Sequence, residues 1–185
     1  MSHPPAIEGV RVRALEPHDD DRGRFTELCR ASWMAGPAPV QWNAVRSAAG
    51  VLRGVHWHDV HADYLTVVDG TLVLGLRDLR AGAPSEGATA LVELSAARPV
   101  AVEIPPGVAH GFWFPEAAIH VYAVSHYWDP ADERGVRWDD PQLAIPWPAG
   151  LTRPLLSPRD AALPALAAAG PLPRYAATSA PLATA

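Results

Sequence analysis

Residues 50–79, GVLRGVHWHDVHADYLTVVDGTLVLGLRDL, decide the fold of this chain. They break into three short runs rich in Val, Leu and aromatic residues, punctuated by Asp, Ala and Gly. Runs of this length, bounded by turn-forming residues, read as strands that follow one another without intervening helices. The pattern continues outward in both directions. VQWNAV precedes it from Val40, and ALVELS, PVAVEIP, GFWFP and IHVYAVSHYW follow it to Trp128. Strands spaced by roughly 8–12 residues point to an all-β sandwich or barrel and away from alternating βαβ units.

The flanks are less regular. Residues 1–8 read as a loose arm, and 9–15 (GVRVRAL) alternate as a first strand. PHDDDRGRF (17–25) reads as a turn, and FTELCRASW (25–33) as one or two helical turns. The polar, Pro-rich segment 129–148 reads as ordered loop. LSPRDAALPALAAA (156–169) reads as a short helix, with Ser157 as N-cap ahead of Pro158. After Gly170 the composition collapses to Ala, Pro, Ser and Thr. The expected organisation is one domain over 1–170 and a flexible tail over 171–185.

Of the 185 residues 49% are hydrophobic, ample for a core, and the net charge of −5 argues against a general nucleic-acid binder. The single cysteine, Cys29, excludes an intrachain disulfide and suits a reducing, cytoplasmic setting. No apolar run approaches the roughly 20 residues that span a bilayer, and no signal peptide is recognisable, so no membrane association is expected.

Side chains alternate faces along a strand. His56 and His58 therefore share one face, with Val55 and Trp57 on the other. The next strand opens near His61, Asp63 and Tyr64. A Pro-Gly turn delivers His110, and HVYAVSHYW places His120, Tyr122, Val124, His126 and Trp128 on one face. A lone barrel histidine is usually structural. Several on neighbouring strands need partners if buried, and their convergence points to a functional interior. Arg53 stands three residues before His56, so the two share a face only if the strand carries a bulge at Gly54.

These residues fall into motifs that resemble the dTDP-4-dehydrorhamnose 3,5-epimerase family, from about Gly9 to Asp160. The motifs, in order, are DRGRFTE (21–27), QWNAVRS (41–47), GVLRGVH (50–56), DLR (78–80), PPGVAHGF (105–112), the tyrosine strand with its following loop (121–148), and LSPRD (156–160). The resemblance implies a cupin-like jelly-roll β-barrel with short peripheral helices, assembled as a homodimer. It implies epimerisation at C3, C5 or both of a dTDP-4-keto-6-deoxyhexose in deoxysugar biosynthesis, through an enolate and without a cofactor. The implied catalytic residues are His56 as base, Asp160 orienting it and Tyr122 as acid. Arg53, His110 and Trp128 would border the sugar. Arg22, Phe25, Glu27, Gln41 and Asn43 would face the nucleotide.

The chain departs from that family at two points. The family's aromatic-Gln pair after its histidine is Trp57-His58 here. The lysine the family carries on the next strand falls on Asp63, and the chain contains no lysine at all. The spacing Gly50, His56-Trp-His58, Asp63, Gly70, with His110 in a second motif, matches a general metal-cupin pattern instead. A metal-dependent enzyme holding Fe, Mn, Ni or Zn on His56, His58, Asp63 and His110 is thus one alternative. A non-catalytic sugar-nucleotide-binding relative is another.

Overall fold

The computed structural model describes residues 6–176, and two five-stranded antiparallel sheets form their framework. The strands of the first sheet are β1 (Arg11–Ala14), β4 (Gln41–Ser47), β6 (Asp63–Asp69), β9 (Val100–Ile104) and β11 (Ala118–Val124). Those of the second are β5 (Leu52–His58), β7 (Thr71–Asp78), β8 (Thr89–Ser95), β10 (Val108–Trp113) and β12 (Glu133–Gly135). The orders are β1-β9-β6-β11-β4 and β12-β5-β10-β7-β8. Sequence neighbours thus often lie in opposite sheets, as in a jelly roll.

One end of the interior is dry. Leu65, Val67, Leu72, Leu74, Leu76, Leu94, Val102 and Phe114 interdigitate from both sheets, all nearly or wholly inaccessible. Burying each contributes about 1.5–3 kcal/mol. The other end, where His56, Asp63, His110 and Tyr122 project, holds the polar cavity.

The second sheet is covered on its outer face as well. Val55, Trp57, Leu79 and Ala109 pack there against Val136, Leu143, Ile145 and Trp147. This explains why β5 is buried on both faces, and it leaves no room for a side chain at Gly75, where a Cβ would lie 2.4 Å from the Trp147 ring. Segment 129–148 is therefore more than an ordered loop: it covers the sheet and contributes β12.

Other local expectations change too. Residues 17–25 form most of a hairpin, β2 (Pro17–Asp20) with β3 (Gly23–Thr26). Its exposed, polar strands carry no hydrophobic alternation to announce them. Beyond it, only Ala31–Trp33 makes a 3-10 turn. The helix at 156–169 is split into α1 (Pro158–Ala161) and a 3-10 turn at Leu166–Ala168. Pro164 lacks an N–H and disfavours helix at Leu163. Ser157 caps α1, accepting the Asp160 N–H at 3.0 Å. Ile7, in the arm, is buried in the core. Past the boundary drawn at 170, Arg174 pairs with Ala81, and Tyr175 lies under the Arg80 guanidinium. The rest of the tail, 177–185, lies outside the described residues.

Candidate active site

A cavity of about 320 Å³ opens between the sheets, lined by β5 and β10 from one and β4, β6 and β11 from the other. That volume suits a small ligand. A larger groove, about 540 Å³, runs beside β1 and Trp33, but no histidine lines it. The chemistry converges in the first cavity.

β5 and β10 pair His56 with His110, then Gly54 with Gly111, leaving Val55 outside the register. Gly54 has φ +104°, and a Cβ there would lie 2.9 Å from the His110 carbonyl oxygen. The bulge required to turn Arg53 and His56 to one side is thus present, and both line the cavity. The Arg53 guanidinium donates to Ser47 Oγ at 3.0 Å.

His56 is hydrogen-bonded through one ring nitrogen and faces a second carboxylate at the other. Its Nε2 lies 2.7 Å from Asp160 Oδ1 and its Nδ1 3.3 Å from Glu133 Oε1. Burial pushes the Asp160 carboxyl up, but hydrogen bonds from His56, Ser157 and the Gly54 backbone bring it below the usual range. Glu133 behaves alike. Burial raises it, and Arg159, His56 and the Trp128 indole together hold it low. The Trp128 indole N–H donates to Glu133 at 2.9 Å.

A second cluster forms the cavity floor. Asp63 Oδ2 lies 3.7 Å from His58 Nε2 and 3.8 Å from His110 Nε2, and Oδ1 is 4.0 Å from His61 Nε2. Burial, with the charges of Glu133 and Asp132, drives the Asp63 carboxyl well above its ordinary value. Burial and neighbouring histidines push His58 down to about 2, and burial takes His110 down to about 4. The His110 Nδ1–H donates to the Val108 carbonyl at 3.1 Å. His61 stacks on His58 and is anchored by Asp132, whose carboxylate also accepts the N–H groups of Asp59 and Val60.

Tyr122 projects from β11 in the sheet opposite His56. Burial, with the nearby Asp63 and Glu133, keeps its hydroxyl above its usual pKa. His120 is next along this face and is lowered to about 4 by burial. β11 ends at Val124, so the alternation stops there and His126 is exposed, against the expectation that it shares the inner face.

The remaining expected residues divide. Trp128 lines the cavity, and its backbone N–H donates to Gln41 Oε1 at 3.0 Å. Gln41 in turn donates to Asn43 Oδ1 at 3.1 Å. Both share a β4 face with the cavity-lining Val45 but stand outside the lining. Arg22, Phe25 and Glu27 do not reach the cavity of their own chain. Arg22 pairs with Asp20, Glu27 with Arg30, and Phe25 is 68% exposed, all on or beside the β2–β3 hairpin.

Sequence reasoning missed Glu133 and Arg159. Glu133 lies in a segment read as loop, and Arg159 was passed over in favour of its neighbour Asp160. The alternative four-residue metal set is also revised: His56 Nε2 is committed to Asp160, while, of the four, His58, Asp63 and His110 bring their donor atoms within 4.8 Å of one another. Two neutral imidazoles and a carboxylate fit a divalent transition metal.

Comparison with known proteins identifies relatives over most of the chain. The family model described as dTDP-4-dehydrorhamnose 3,5-epimerase matches residues 4–168. A dTDP-4-dehydrorhamnose 3-epimerase of Streptomyces niveus is 38% identical over 185 residues, covering 94% of this chain and 88% of its own. A dTDP-4-dehydrorhamnose 3,5-epimerase of Neisseria gonorrhoeae is also 38% identical, over 85% of this chain, which spans only 50% of that relative's length. Among solved structures, a 3'-monoepimerase from Streptomyces bikiniensis in complex with dTDP-quinovose superposes with a TM-score of 0.84 at 35% identity, covering 94% of this chain and 93% of its own. A Legionella pneumophila 3,5-epimerase in complex with dTDP-4-keto-L-rhamnose gives 0.85 at 34%, covering 93% and 96%. With most of its length matched by the family model and its barrel superposing on solved epimerases, this chain belongs to the dTDP-4-dehydrorhamnose 3,5-epimerase family.

Proposed function

We propose that the protein epimerises a dTDP-4-keto-6-deoxyhexose at C3, C5 or both, with His56 as the base. The observation that carries this reading is the 2.7 Å contact between His56 Nε2 and Asp160 inside a cavity that Tyr122 enters from the opposite sheet. With its Nε2–H given to Asp160, the neutral His56 ring carries its lone pair on Nδ1, the nitrogen that takes a proton from the carbon next to the keto group. Asp160 and Glu133 then flank the imidazolium, which they stabilise without being protonated. Tyr122, kept neutral by its buried setting, returns a proton to the other face of the enolate. Arg53, His110 and Trp128 border the sugar. These proton transfers call for no cofactor, and a reducing cytoplasm suits the free thiol of Cys29.

Arg22, Phe25 and Glu27 serve the nucleotide in this reading, with Gln41 and Asn43. Arg22, Phe25 and Glu27 do not reach their own chain's cavity, so in this reading a second copy supplies them, consistent with a homodimer. Light scattering of the purified protein should give twice the chain mass.

The deciding experiment is incubation with dTDP-4-keto-6-deoxyglucose in D2O. Deuterium should appear at C3, C5 or both. Tight dTDP binding with no exchange would instead identify a non-catalytic nucleotide-sugar binder.

A further inference from the structure

We infer that His58, Asp63 and His110 form a binding site for a divalent first-row transition metal at the cavity floor. His56 is not among the ligands. The inference stands apart from the epimerase reading, because it concerns side chains to which the proton relay assigns no transfer step.

The first argument is an unmet need. Asp63 is buried and makes no side-chain hydrogen bond among the described residues, with three imidazole nitrogens 3.7–4.0 Å away. Those separations are too long for hydrogen bonds. A buried carboxyl with no partner is costly unless it is neutralised by a proton or a cation. His58 is equally unsupported: it is buried, and its Nδ1 has no partner.

The second argument is orientation. The Nδ1–H of His110 is given to the Val108 carbonyl, so its Nε2 carries a lone pair toward Asp63. A backbone carbonyl on the far nitrogen is the usual support for a metal-binding imidazole. His58 is steadied by the stacked His61 ring, 3.8 Å away, itself fixed at 2.8 Å by Asp132.

The third argument is spacing. With metal–nitrogen bonds of about 2.0–2.1 Å, ligand atoms on a tetrahedral ion stand about 3.4 Å apart. The distances of 3.7 and 3.8 Å from Asp63 need contract by only a few tenths of an ångström. Two imidazoles and one carboxylate leave at least one coordination position open, and all three residues line the cavity. A carbonyl or alkoxide oxygen of a bound sugar has the chemistry to fill that position.

The test uses the full-length, untagged protein, stripped with chelator and titrated with Co²⁺ or Zn²⁺. One equivalent should bind. Co²⁺ should show visible ligand-field absorption, and X-ray absorption of the Zn²⁺ form should show two imidazoles in the first shell. Asp63→Asn and His110→Gln should each weaken binding by roughly 100-fold or more, while His126→Ala should bind normally. Substoichiometric uptake by wild type, or a Zn²⁺ shell without imidazole, would overturn the proposal. The spectra are read on wild-type protein, so they hold even if a variant misfolds. Deuterium exchange is measured separately, so failure of the epimerase reading leaves this result intact.

Discussion

The cavity has two histidine-bearing regions that treat the same residue types in opposite ways. At the β5–α1 wall, His56 has a carboxylate at each nitrogen, and Asp160 and Glu133 are held below their ordinary range. At the floor, built from β5, β6 and β10, Asp63 is driven above its range, while His58 and His110 fall to about 2 and 4. All these groups are largely buried, so burial alone does not separate them. What differs is the supply of donors. Ser157, Arg159 and the Trp128 indole bring hydrogen bonds to the wall carboxylates, and among the described residues nothing equivalent reaches Asp63. The wall is built to carry charge, and burial sets the floor against it unless a cation enters.

Four measurements break or sharpen that contrast. The largest effect should come from His56→Asn, which removes the base. Exchange of substrate hydrogen in D2O should fall by roughly 10³-fold or more, with dTDP affinity nearly unchanged. Near-normal exchange would move the base elsewhere. Asp160→Asn keeps the shape but loses the charge opposite Nε2. A loss of roughly 10²–10⁴-fold in kcat is expected, again with little change in affinity, and an unaltered rate would remove Asp160 from the relay. Glu133→Gln should cost about tenfold, since Asp160 remains. If it matches the loss in Asp160→Asn, Glu133 is the principal support of His56.

The smallest effect is on stability. As pH falls below about 6.5, histidines of the unfolded chain take up protons that His58, held at about 2, and His110 and His120, held at about 4, refuse in the native state. The unfolded state then binds more protons, so stability drops, and the drop continues until the native groups titrate. Asp63 works the other way. Its raised native pKa keeps a proton that the unfolded chain releases above its ordinary value of 3.8, so its part of the stability is lost as pH rises. Three histidines outweigh one acid, and Tm should fall by several degrees between pH 7.5 and 5.5. A flat profile would mean that the floor histidines are more solvated than their burial indicates.

Much of this was legible in the sequence because it is local. The period-two alternation in 50–79 gives the strand, its two faces and the shared side of His56 and His58. The parity conflict between Arg53 and His56 even points to the bulge at Gly54. Other features depend on contacts between distant parts of the chain. Glu133 reaches His56 from a strand of three residues, too short for any periodicity to show. Asp132 secures His61 from 71 residues away. The β2–β3 hairpin is exposed on both faces, so its sequence shows no apolar pattern. Asp160 was located by resemblance, since nothing in the spacing of LSPRD says which strand it will meet.

Both acids that hold His56 hang from chain that follows the last long strand, β11. Glu133 arrives on the short β12, where Gly135 packs so closely that a Cβ would touch the His56 ring at 3.0 Å, and Asp160 arrives on a four-residue helix. A chain cut shortly after Trp147 would keep every strand and the cover of Trp57, but lose Asp160 and Arg159 together. Such a fragment would keep His56 and Tyr122 in place, yet pass hydrogen between them far more slowly without the carboxylate that steadies the base. The barrel with its base and the carboxylate that orients that base are therefore separable inheritances, the second written in the final stretch of the polypeptide.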